Sequence, residues 1–459
     1  MKKESRNPLR TIALGVLLCS LHAAGLAAPV ALVGERVIDA KSDRPLDGGV
    51  VVVEGDRILA VGGRGVIPEG AGIIELEGMT LMPGMINAHD HPLLYADDYQ
   101  SGHLQASSAY KALRGLSAMQ GWLRAGWTGV RVMGDGDVYY ANQDIRKAIG
   151  EGHVTGPRIT GAAHYISTTG AGGDIHYFSP EQPVIADGLI ADGVDGMTLA
   201  VRNEVKYGSD WIKIMVTGAF HTVGTDPKNL AISPAELDAV MAEAGRLGVP
   251  VAAHAHSTAG IRLAVEAGVR SIEHGTYLDR EVIELMAARG TYLVPTIYVG
   301  DYYAGSDKLL AQAKNDDPHL SWRPEWLDLI GEAHRAGVKI VVGLDLGGNA
   351  GPHVFAREFA VLVEAGMPPM AAIKAGTSVA AELLGWDELG TLEPGKLADI
   401  IAVPGNPLED ITTLERVAFV MIGGREVSSP DTGYCAASGP VAPGIVLRAV
   451  VHDVVPGGG

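Results

Sequence analysis

The sequence predicts an α/β fold: a (β/α)8 TIM barrel with a small composite β-sandwich domain built from both chain ends. Across residues 81–387, short apolar segments alternate with amphipathic stretches, as in parallel strands joined by crossover helices. Residues 28–80 and 388–427 instead contain short β-like segments between turn residues. Neither end is long enough to bury a core alone, so we expect the two ends to pair beside the barrel.

The β-like segments of the two ends lie between glycine-rich turns. The candidate strands are residues 30–33, 50–54, 57–61 and 72–76 at the N-terminal end, and 398–403 and 417–422 at the C-terminal end. The last part, residues 428–459, is rich in glycine and proline and is expected to be a loosely attached tail.

Eight short apolar segments are candidates for the barrel strands. They are the segment that ends at His91, and residues 129–133, 158–161, 211–216, 249–253, 271–273, 292–296 and 339–343. Eight such units predict a closed barrel. Between two of them, Ser233-Pro234-Ala235-Glu236 is typical of a helix start, with Ser233 as N-cap and Glu236 three residues later.

The first 27 residues are predicted to be a signal peptide. Four basic residues precede the apolar segment 11–21, which is too short for a stable membrane anchor, and small residues favour cleavage near Ala27. The expected location is periplasmic or secreted. A lipoprotein is the alternative because Cys19 ends the apolar segment, but the bulky Leu18 disfavours it. After cleavage only Cys435 would remain, so an internal disulfide is excluded.

The charge of the chain excludes one class of partner. The formal net charge of -18 and the lack of a basic stripe argue against nucleic acid, because phosphates would find no cationic surface. The predicted partner is a small-molecule or dipeptide substrate. The sequence leaves the oligomeric state open, with a homo-oligomer as one alternative.

The first predicted barrel strand ends in a metal-binding motif. The nine residues from Pro83 to His91 read Pro-Gly-Met-Ile-Asn-Ala-His-Asp-His. Side chains on a strand alternate between its two faces, so His89 and His91 point the same way and can bind one metal ion. Four further ligand-type residues follow at the C-terminal ends of later strands: Lys213, His254, His274 and Asp345. In a barrel these ends meet at one face, which predicts a two-metal hydrolase.

Lys213 lies in the middle of the apolar segment 211–216, where an unpaired ammonium would be costly. One interpretation is an ion-paired core lysine. The other is an amine that carbon dioxide has converted into a carbamate anion, which could bridge two cations. The position of Lys213 between two histidine clusters favours the carbamate.

The remaining residues complete a mechanism. Of the pair His254 and His256, we assign His254 as the ligand because it is closer to the apolar strand, and expect His256 to support a ligand or face the substrate. Two divalent ions, usually zinc with such ligands, would hold a bridging hydroxide at neutral pH. Asp345 would bind metal through one oxygen, take the proton of the hydroxide and pass it to the leaving group.

These residues resemble those of the amidohydrolase superfamily, in its binuclear branch with a carboxylated lysine. More narrowly, the chain resembles the imidazolonepropionase-like group of secreted metal-dependent dipeptidases and carboxypeptidases, which includes relatives that hydrolyse the amide of ochratoxin. The matching segments are 81–91, 210–215, 254–256, 268–275, 343–345 and 366–399. The last contains Thr-Leu-Glu-Pro-Gly-Lys-Leu-Ala-Asp at 391–399, a sequence highly specific to these enzymes.

The resemblance implies a role for each ligand. The more buried metal ion would be held by His89 and His91, and the second by His254 and His274. Lys213 would bridge the two ions as a carbamate, and Asp345 would be both ligand and general base. Two positions depart from the family, which usually has Asp in place of Asn87 and an uncharged residue in place of Asp90. Neither is a ligand, so the departures concern only the surroundings of the metal ions.

The resemblance implies hydrolysis of an amide bond of dipeptides or N-acyl amino acids with a free carboxylate. Candidate contacts for the substrate are His176 in a glycine-rich loop, Tyr298 after the seventh strand, and His353 beyond Asp345. The alternative within enzymes is a hydrolase of cyclic amides or of xenobiotic amides such as ochratoxin. The alternative outside enzymes is a metal-binding scaffold that has lost catalysis, against which the intact Asp345 argues.

Overall fold

The computed structural model describes residues 28–95, 99–137, 139–306, 323–348, 351, 355–427 and 446–448. The predicted signal peptide, His353 and most of the predicted tail, including Cys435, lie outside the described residues. In the part of the chain that is described, every helix is too short or too polar to cross a bilayer.

The strands follow the predicted order along the chain. They are β1 Val30–Val37, β2 Leu46–Asp47, β3 Val50–Glu54, β4 Arg57–Gly62, β5 Gly72–Pro83, β6 Met85–Asp90, β7 Trp127–Met133, β8 Arg158–Ala162, β9 Tyr165–Ser167, β10 Leu189–Ile190, β11 Ile212–Met215, β12 Val251–Ala255, β13 Ser271–His274, β14 Tyr292–Val294, β15 Ile400–Pro404, β16 Phe419–Ile422, β17 Arg425–Glu426 and β18 Val446–Arg448.

The helices lie mostly between the parallel strands. They are α1 Tyr99–Gln105, α2 Ser108–Arg124, α3 Ala141–Gly150, α4 Gly193–Lys206, α5 Pro234–Leu247, α6 Thr258–Ala267, α7 Arg280–Arg289, α8 Ile297–Ser306, α9 Arg323–Arg335, α10 Arg357–Glu364, α11 Pro369–Ala375 and α12 Ser378–Leu384. The helix start predicted at Ser233 is confirmed, because Ser233 and Glu236 form both hydrogen bonds of a capping box.

One mixed sheet takes strands from both ends of the chain. Its nine strands include a central path in the order β17-β16-β15-β5-β1-β3-β4. The long strand β5 pairs in parallel with β1 and antiparallel with β15, where Ile401 lies opposite Met82. Pairing of the N-terminal and C-terminal segments, as predicted, therefore occurs within one sheet. The predicted domain boundaries stay predictions.

Both faces of the mixed sheet are buried where β5 meets β15. Alternating residues join different hydrophobic clusters: Met82 and Ile401 pack into the largest core, whereas Leu81 and Ile400 pack into the core of the mixed sheet. The sheet therefore lies against the rest of the protein along this face. After β5, Gly84 leads directly into β6, and a Cβ atom there would lie 2.1 Å from Oγ1 of Thr128, so only glycine fits.

The remaining strands form two parallel sheets. One has the order β6-β7-β8 and the other β10-β9-β11-β12-β13-β14. Backbone hydrogen bonds extend from both edges of the three-stranded sheet: Gly161 O on β8 accepts from Asp210 N–H, just before β11, at 3.2 Å, and Ala88 N–H on β6 donates to Val342 O in segment 339–343 at 2.9 Å. Along this path the segments meet in chain order, as the predicted barrel requires.

The segment predicted as the eighth barrel strand, 339–343, is not a regular strand. It makes one parallel bridge, between Ile340 and Leu293. The ladder is interrupted because the N–H of Val342 donates to Ala375 O and the N–H of Ile86 donates to Gly376 O, both at the end of α11. The helix end thus takes hydrogen bonds that neighbouring strands would otherwise exchange.

Candidate active site

The structure brings the six predicted metal ligands together at the C-terminal ends of the parallel strands. Five of the six are buried: His89, His91, Lys213, His254 and His274. Asp345 is partly exposed, with a side-chain exposure of 20%. Lys213 on β11 interacts electrostatically with His89, His254 and Asp345. The centre is therefore closed by protein on most sides and open at the carboxylate.

Two imidazoles and one carboxylate meet in the tightest part of the centre. His89 Nε2 lies 3.2 Å from His91 Nε2, and Asp345 Oδ1 lies 3.1 Å from His91 Nε2 and 3.6 Å from His89 Nε2. His274 Nδ1 is 3.9 Å from the other oxygen, Oδ2 of Asp345. Ligand atoms of His89, His274 and Asp345 all lie within 4.8 Å of one another, a spacing that suits a shared cation.

The hydrogen bonds of the outer nitrogens show that this centre fits a metal ion. His89 Nδ1–H donates to Oε2 of Glu273 at 2.7 Å, and His91 Nδ1–H donates to Gly134 O. Both partners only accept, so each Nδ1 atom carries a proton. When both rings are neutral, the two Nε2 lone pairs face each other across 3.2 Å. A cation bound there would remove their repulsion.

A second group of imidazoles lies beside the first. Ligand nitrogens of His254, His256 and His274 also lie within 4.8 Å of one another. His254 Nε2–H donates to Gly218 O at 3.1 Å, which leaves its Nδ1 lone pair for a metal ion. The ring of His256 stacks on the ring of His274 with centroids 4.9 Å apart. His256 thus lies beside the two predicted ligands, and it offers the same kind of ligand atom as His254.

Burial keeps most of these imidazoles neutral. Desolvation, together with the charge of Lys213, lowers the pKa of His89 to about 4 and that of His254 to about 3. Burial also lowers the pKa of His274 well below its ordinary value. For His91, burial acts in the same direction, but contact with Asp345 outweighs it and raises the pKa. Neutral imidazoles are the form that binds divalent ions.

The pKa values of the two other ionisable ligands, Lys213 and Asp345, are also lowered. Burial lowers the pKa of Lys213 to about 8, against the opposing charges of Glu273 and Asp345. Burial alone would raise the pKa of Asp345, but His89 and His91 outweigh it and hold the pKa below its ordinary range.

A buried ion pair holds the first histidine. Arg131 on β7 donates to Oε1 of Glu273 at 2.8 Å, to Ser271 Oγ at 3.0 Å and to Ala88 O. Its guanidinium lies 4.5 Å from the ring centroid of Trp211. Although burial raises the pKa of Glu273, Arg131 and His89 outweigh it and lower this pKa to about 2. Glu273 therefore stays ionised and orients His89.

The two residues that depart from the family pattern hold the first strand to the Asp345 loop. The Asn87 side chain donates to Oδ2 of Asp90 at 2.7 Å and accepts from the N–H of Leu344 at 3.2 Å. Oδ1 of Asp90 accepts from the N–H groups of His91 and Gly347, each at 2.9 Å. Burial raises the pKa of Asp90 to about 7. The two departures thus complement each other.

Three site residues have left-handed backbone conformations that side chains disfavour. The φ angles are 73° at His274, 51° at Thr296 and 56° at Asp345. Each conformation costs about 1–2 kcal/mol for a residue with a Cβ atom. The three residues are in contact, because His274 Nδ1 lies 2.8 Å from Thr296 Oγ1 and 3.9 Å from Asp345 Oδ2. Such clustering is typical of functional sites.

The structure describes two of the three predicted substrate contacts, Tyr298 and His176. Tyr298 packs against Tyr302 and Arg357, at ring distances of 6.2 Å and 5.9 Å. His176 lies in the loop after β9, with Nε2 at 3.3 Å from Ala171 O. His353 is not described. The roles of all three in substrate binding stay predictions.

Residues 80–427 match the amidohydrolase family. The chain belongs to this family. Ochratoxinase from Aspergillus niger is 32% identical over 386 residues, which cover 77% of this chain and 77% of the relative. Imidazolonepropionase from Acinetobacter baumannii is 30% identical over 199 residues, covering 41% of this chain and 44% of the relative. The predicted family resemblance is confirmed, and the chain is an enzyme of the kind that acts on amide bonds.

Solved amidohydrolase structures have the same fold. A Xaa-Pro dipeptidase with methionine bound in its active site matches with a TM-score of 0.79 at 33% identity, covering 88% of this chain and 100% of that chain. The structure of A. niger ochratoxinase matches with a TM-score of 0.77 at 29% identity, covering 89% and 97%. The predicted α/β class is thereby confirmed.

The sequence did not predict the roles of Arg131 and Glu273. A signal for Arg131 was present, because it is a charged residue in the apolar segment 129–133, the same feature that identified Lys213. Glu273 directly precedes His274 on β13, and its carboxylate accepts from His89 Nδ1–H at 2.7 Å.

If Glu273 orients His89, Glu273→Gln should weaken metal binding by about 10- to 100-fold, because the amide is a poorer acceptor for the imidazole N–H. Competition with a chromogenic chelator measures this affinity. Glu358→Gln is the matched control, since Glu358 is also fully buried but accepts from the backbone of Ile297 and Tyr298. Equal metal affinity in the two variants would contradict the positioning role.

Proposed function

We propose that the protein is an exported two-metal amidohydrolase that cleaves an amide bond of dipeptides or N-acyl amino acids, in the manner of a carboxypeptidase or dipeptidase. The observation that carries the proposal is the convergence of His89 Nε2, His91 Nε2 and the Asp345 carboxylate within 3.6 Å of one another. We also propose that the parallel strands close into a (β/α)8 barrel and that the two ends of the chain form a composite domain beside it. The basic and apolar residues 1–27 support export.

The residues at the centre divide into two ligand groups. His89 and His91 would hold the more buried ion, and His254 and His274 the second. Two divalent ions, zinc by the nitrogen and oxygen ligands, would polarise the amide carbonyl and lower the pKa of water. Lys213 would bridge the two ions as a carbamate. Its lowered pKa of about 8 supports this, because only the neutral amine reacts with carbon dioxide.

Asp345 is the residue that would move the proton. Its carboxylate is the only partly exposed member of the six ligands, so it can contact both water and substrate. Its pKa lies below the ordinary range, so the carboxylate is ionised and ready to accept. Asp345 would take a proton from the attacking water and deliver it to the nitrogen of the leaving amine, which breaks the amide bond.

The relatives support the choice of substrate. The Xaa-Pro dipeptidase structure holds a free amino acid, methionine, in its active site. A free amino acid is the product that cleavage of a dipeptide or an N-acyl amino acid leaves. The identity of 32% to ochratoxinase supports the second candidate, a hydrolase of a xenobiotic amide such as ochratoxin. Both candidates use the same centre and differ only in the groups beside the amide.

The two-metal proposal predicts about two divalent ions per chain in active protein. Lys213→Ala should remove the bridging group, lower the metal content and reduce kcat/KM by ~10³-fold or more. Elemental analysis and steady-state kinetics measure the two effects. Lys111→Met is the matched control, since Lys111 is equally buried but contacts His103 and Gly136. A single ion per chain in fully active protein would exclude the two-metal centre.

Asp345→Asn should preserve the fold and abolish turnover, because an amide cannot accept the proton. We expect kcat to fall by about 10²-fold or more, as when a general base is lost. Kinetics of the zinc-loaded variant measure the fall, and circular dichroism checks that the fold is kept. A kcat near that of the wild type would place the base on another residue.

Recognition of a free carboxylate predicts a difference between free and amidated substrates. Amidation of the C-terminus should lower kcat/KM by ~10²-fold or more, because an ionic hydrogen bond is lost. Residual activity should remain, since the centre still attacks the amide. Parallel kinetics on a dipeptide and its C-terminal amide test this. Equal rates would favour the cyclic-amide or xenobiotic alternative.

A further inference from the structure

A threonine hydroxyl contacts one of the predicted metal ligands. Thr296 follows β14 and directly precedes α8, and its Oγ1 lies 2.8 Å from Nδ1 of His274 on β13. Because Thr296 is only 1% exposed, bulk water has no access to this contact. Thr296 therefore supplies His274 with a hydrogen bond that solvent cannot replace.

Thr296 holds this position in a backbone conformation that its side chain disfavours. Its φ is 51°, and among the described residues it is the only β-branched one in the left-handed region. For a β-branched side chain this conformation is a rare outlier. The neighbours Val294 and Ile297 are both packed in core clusters, which fixes the backbone on either side. The fold thus keeps a strained conformation at the residue that carries the hydroxyl, which indicates a role for that side chain.

Packing fixes the plane of the His274 ring but not which of its edges faces the centre. His256 stacks on this ring with centroids 4.9 Å apart, and the rings of His254 and His89 lie at 4.6 Å and 5.0 Å. A half-turn of the imidazole about the bond between Cβ and Cγ gives nearly the same shape, with nitrogen and carbon atoms exchanged. Only polar contacts distinguish these two orientations.

The hydrogen bond to Thr296 selects one of the two orientations. Oγ1 of Thr296 lies within hydrogen-bonding range of His274 Nδ1, whereas Oδ2 of Asp345, at 3.9 Å from Nδ1, lies beyond that range. With Nδ1 engaged, Nε2 is the nitrogen left for an ion. An ion on Nε2 places the ring proton on Nδ1, and the hydroxyl of Thr296 then accepts it.

We propose that Thr296 is a positioning residue, which holds the His274 ring so that Nε2 is available to the second metal ion. The inference rests on the proposed two-metal centre and adds the residue that orients one of its ligands. Thr276 has the same arrangement one strand earlier, since its Oγ1 lies 2.9 Å from Nδ1 of His256. In both cases a threonine beyond the end of one strand supports the imidazole at the end of the preceding strand.

Thr296→Val tests this role, because valine keeps the branched shape of threonine but cannot accept a hydrogen bond. The affinity for zinc, measured by competition with a chromogenic chelator, should fall by about 10- to 100-fold, as when other residues that orient a ligand are lost. Thr296→Ser keeps a hydroxyl group and should hold the zinc affinity within about 3-fold of the wild type.

The melting temperature with and without zinc separates a misoriented ligand from a general loss of stability. At equal zinc concentration, the rise in Tm on adding zinc should be smaller in Thr296→Val than in the wild type, because weaker binding stabilises the fold less. Thr377→Val is the matched control, since Thr377 is also buried but its hydroxyl donates to Ile373 O at 2.7 Å. This control should lower Tm equally in both states and keep the wild-type zinc affinity.

Unchanged zinc affinity in Thr296→Val, in protein that binds two ions and hydrolyses dipeptides, would overturn the positioning role while the proposed function stands. Equal losses of affinity in Thr296→Val and Thr296→Ser would also overturn it, because the hydroxyl would then make no difference. Failure of the proposed function would look different. A wild type with one ion per chain, bound more weakly in Thr296→Val than in Thr296→Ser, would exclude the two-metal centre and still support the role of Thr296.

Discussion

Arg131 and Glu273 form a fully buried ion pair between β7 and β13, directly behind His89. Removing either charge alone would leave the other buried and uncompensated, at a cost of about 3–5 kcal/mol. The pair fixes the proton of His89 on Nδ1, and this directs the Nε2 lone pair at His91. The geometry of the ligands therefore depends on the ion pair between Arg131 and Glu273, neither of which is itself a ligand.

Asn87 and Asp90 are also not ligands, but they occur together because both are needed to hold the loop of Asp345. A carboxylate at position 90 needs a donor, and the Asn87 amide supplies it at 2.7 Å. Asp90 also receives the N–H of Gly347, and Asn87 that of Leu344, on either side of Asp345. The loop that carries the left-handed Asp345 is therefore held by β6 both before and after Asp345, at Leu344 and Gly347, which offsets its conformational cost.

The sequence predicted most of the fold, because strand and helix periods are local, and the segments 50–54 and 72–76 lie within the strands observed. It also predicted which ligand-type residues meet, since strand ends converge in a parallel arrangement. It did not predict the partner of His89, because Arg131 and Glu273 meet only through space. The irregular backbone of segment 339–343, which was predicted to be a strand, was not foreseen for the same reason. Its hydrogen bond to the helix end at Ala375 forms between residues that are distant in sequence.

The pairing of β5 with β15 sets the order in which this protein can fold. Ile401 lies opposite Met82, so β5, which leads toward His89, pairs with a strand that lies more than three hundred residues later in the sequence. Contacts of such long sequence separation form slowly, and synthesis proceeds from the N-terminus. A growing chain has every histidine of the centre before it has the strand that anchors the first two. Assembly of the active site is thus a late event, which requires most of the chain to be present.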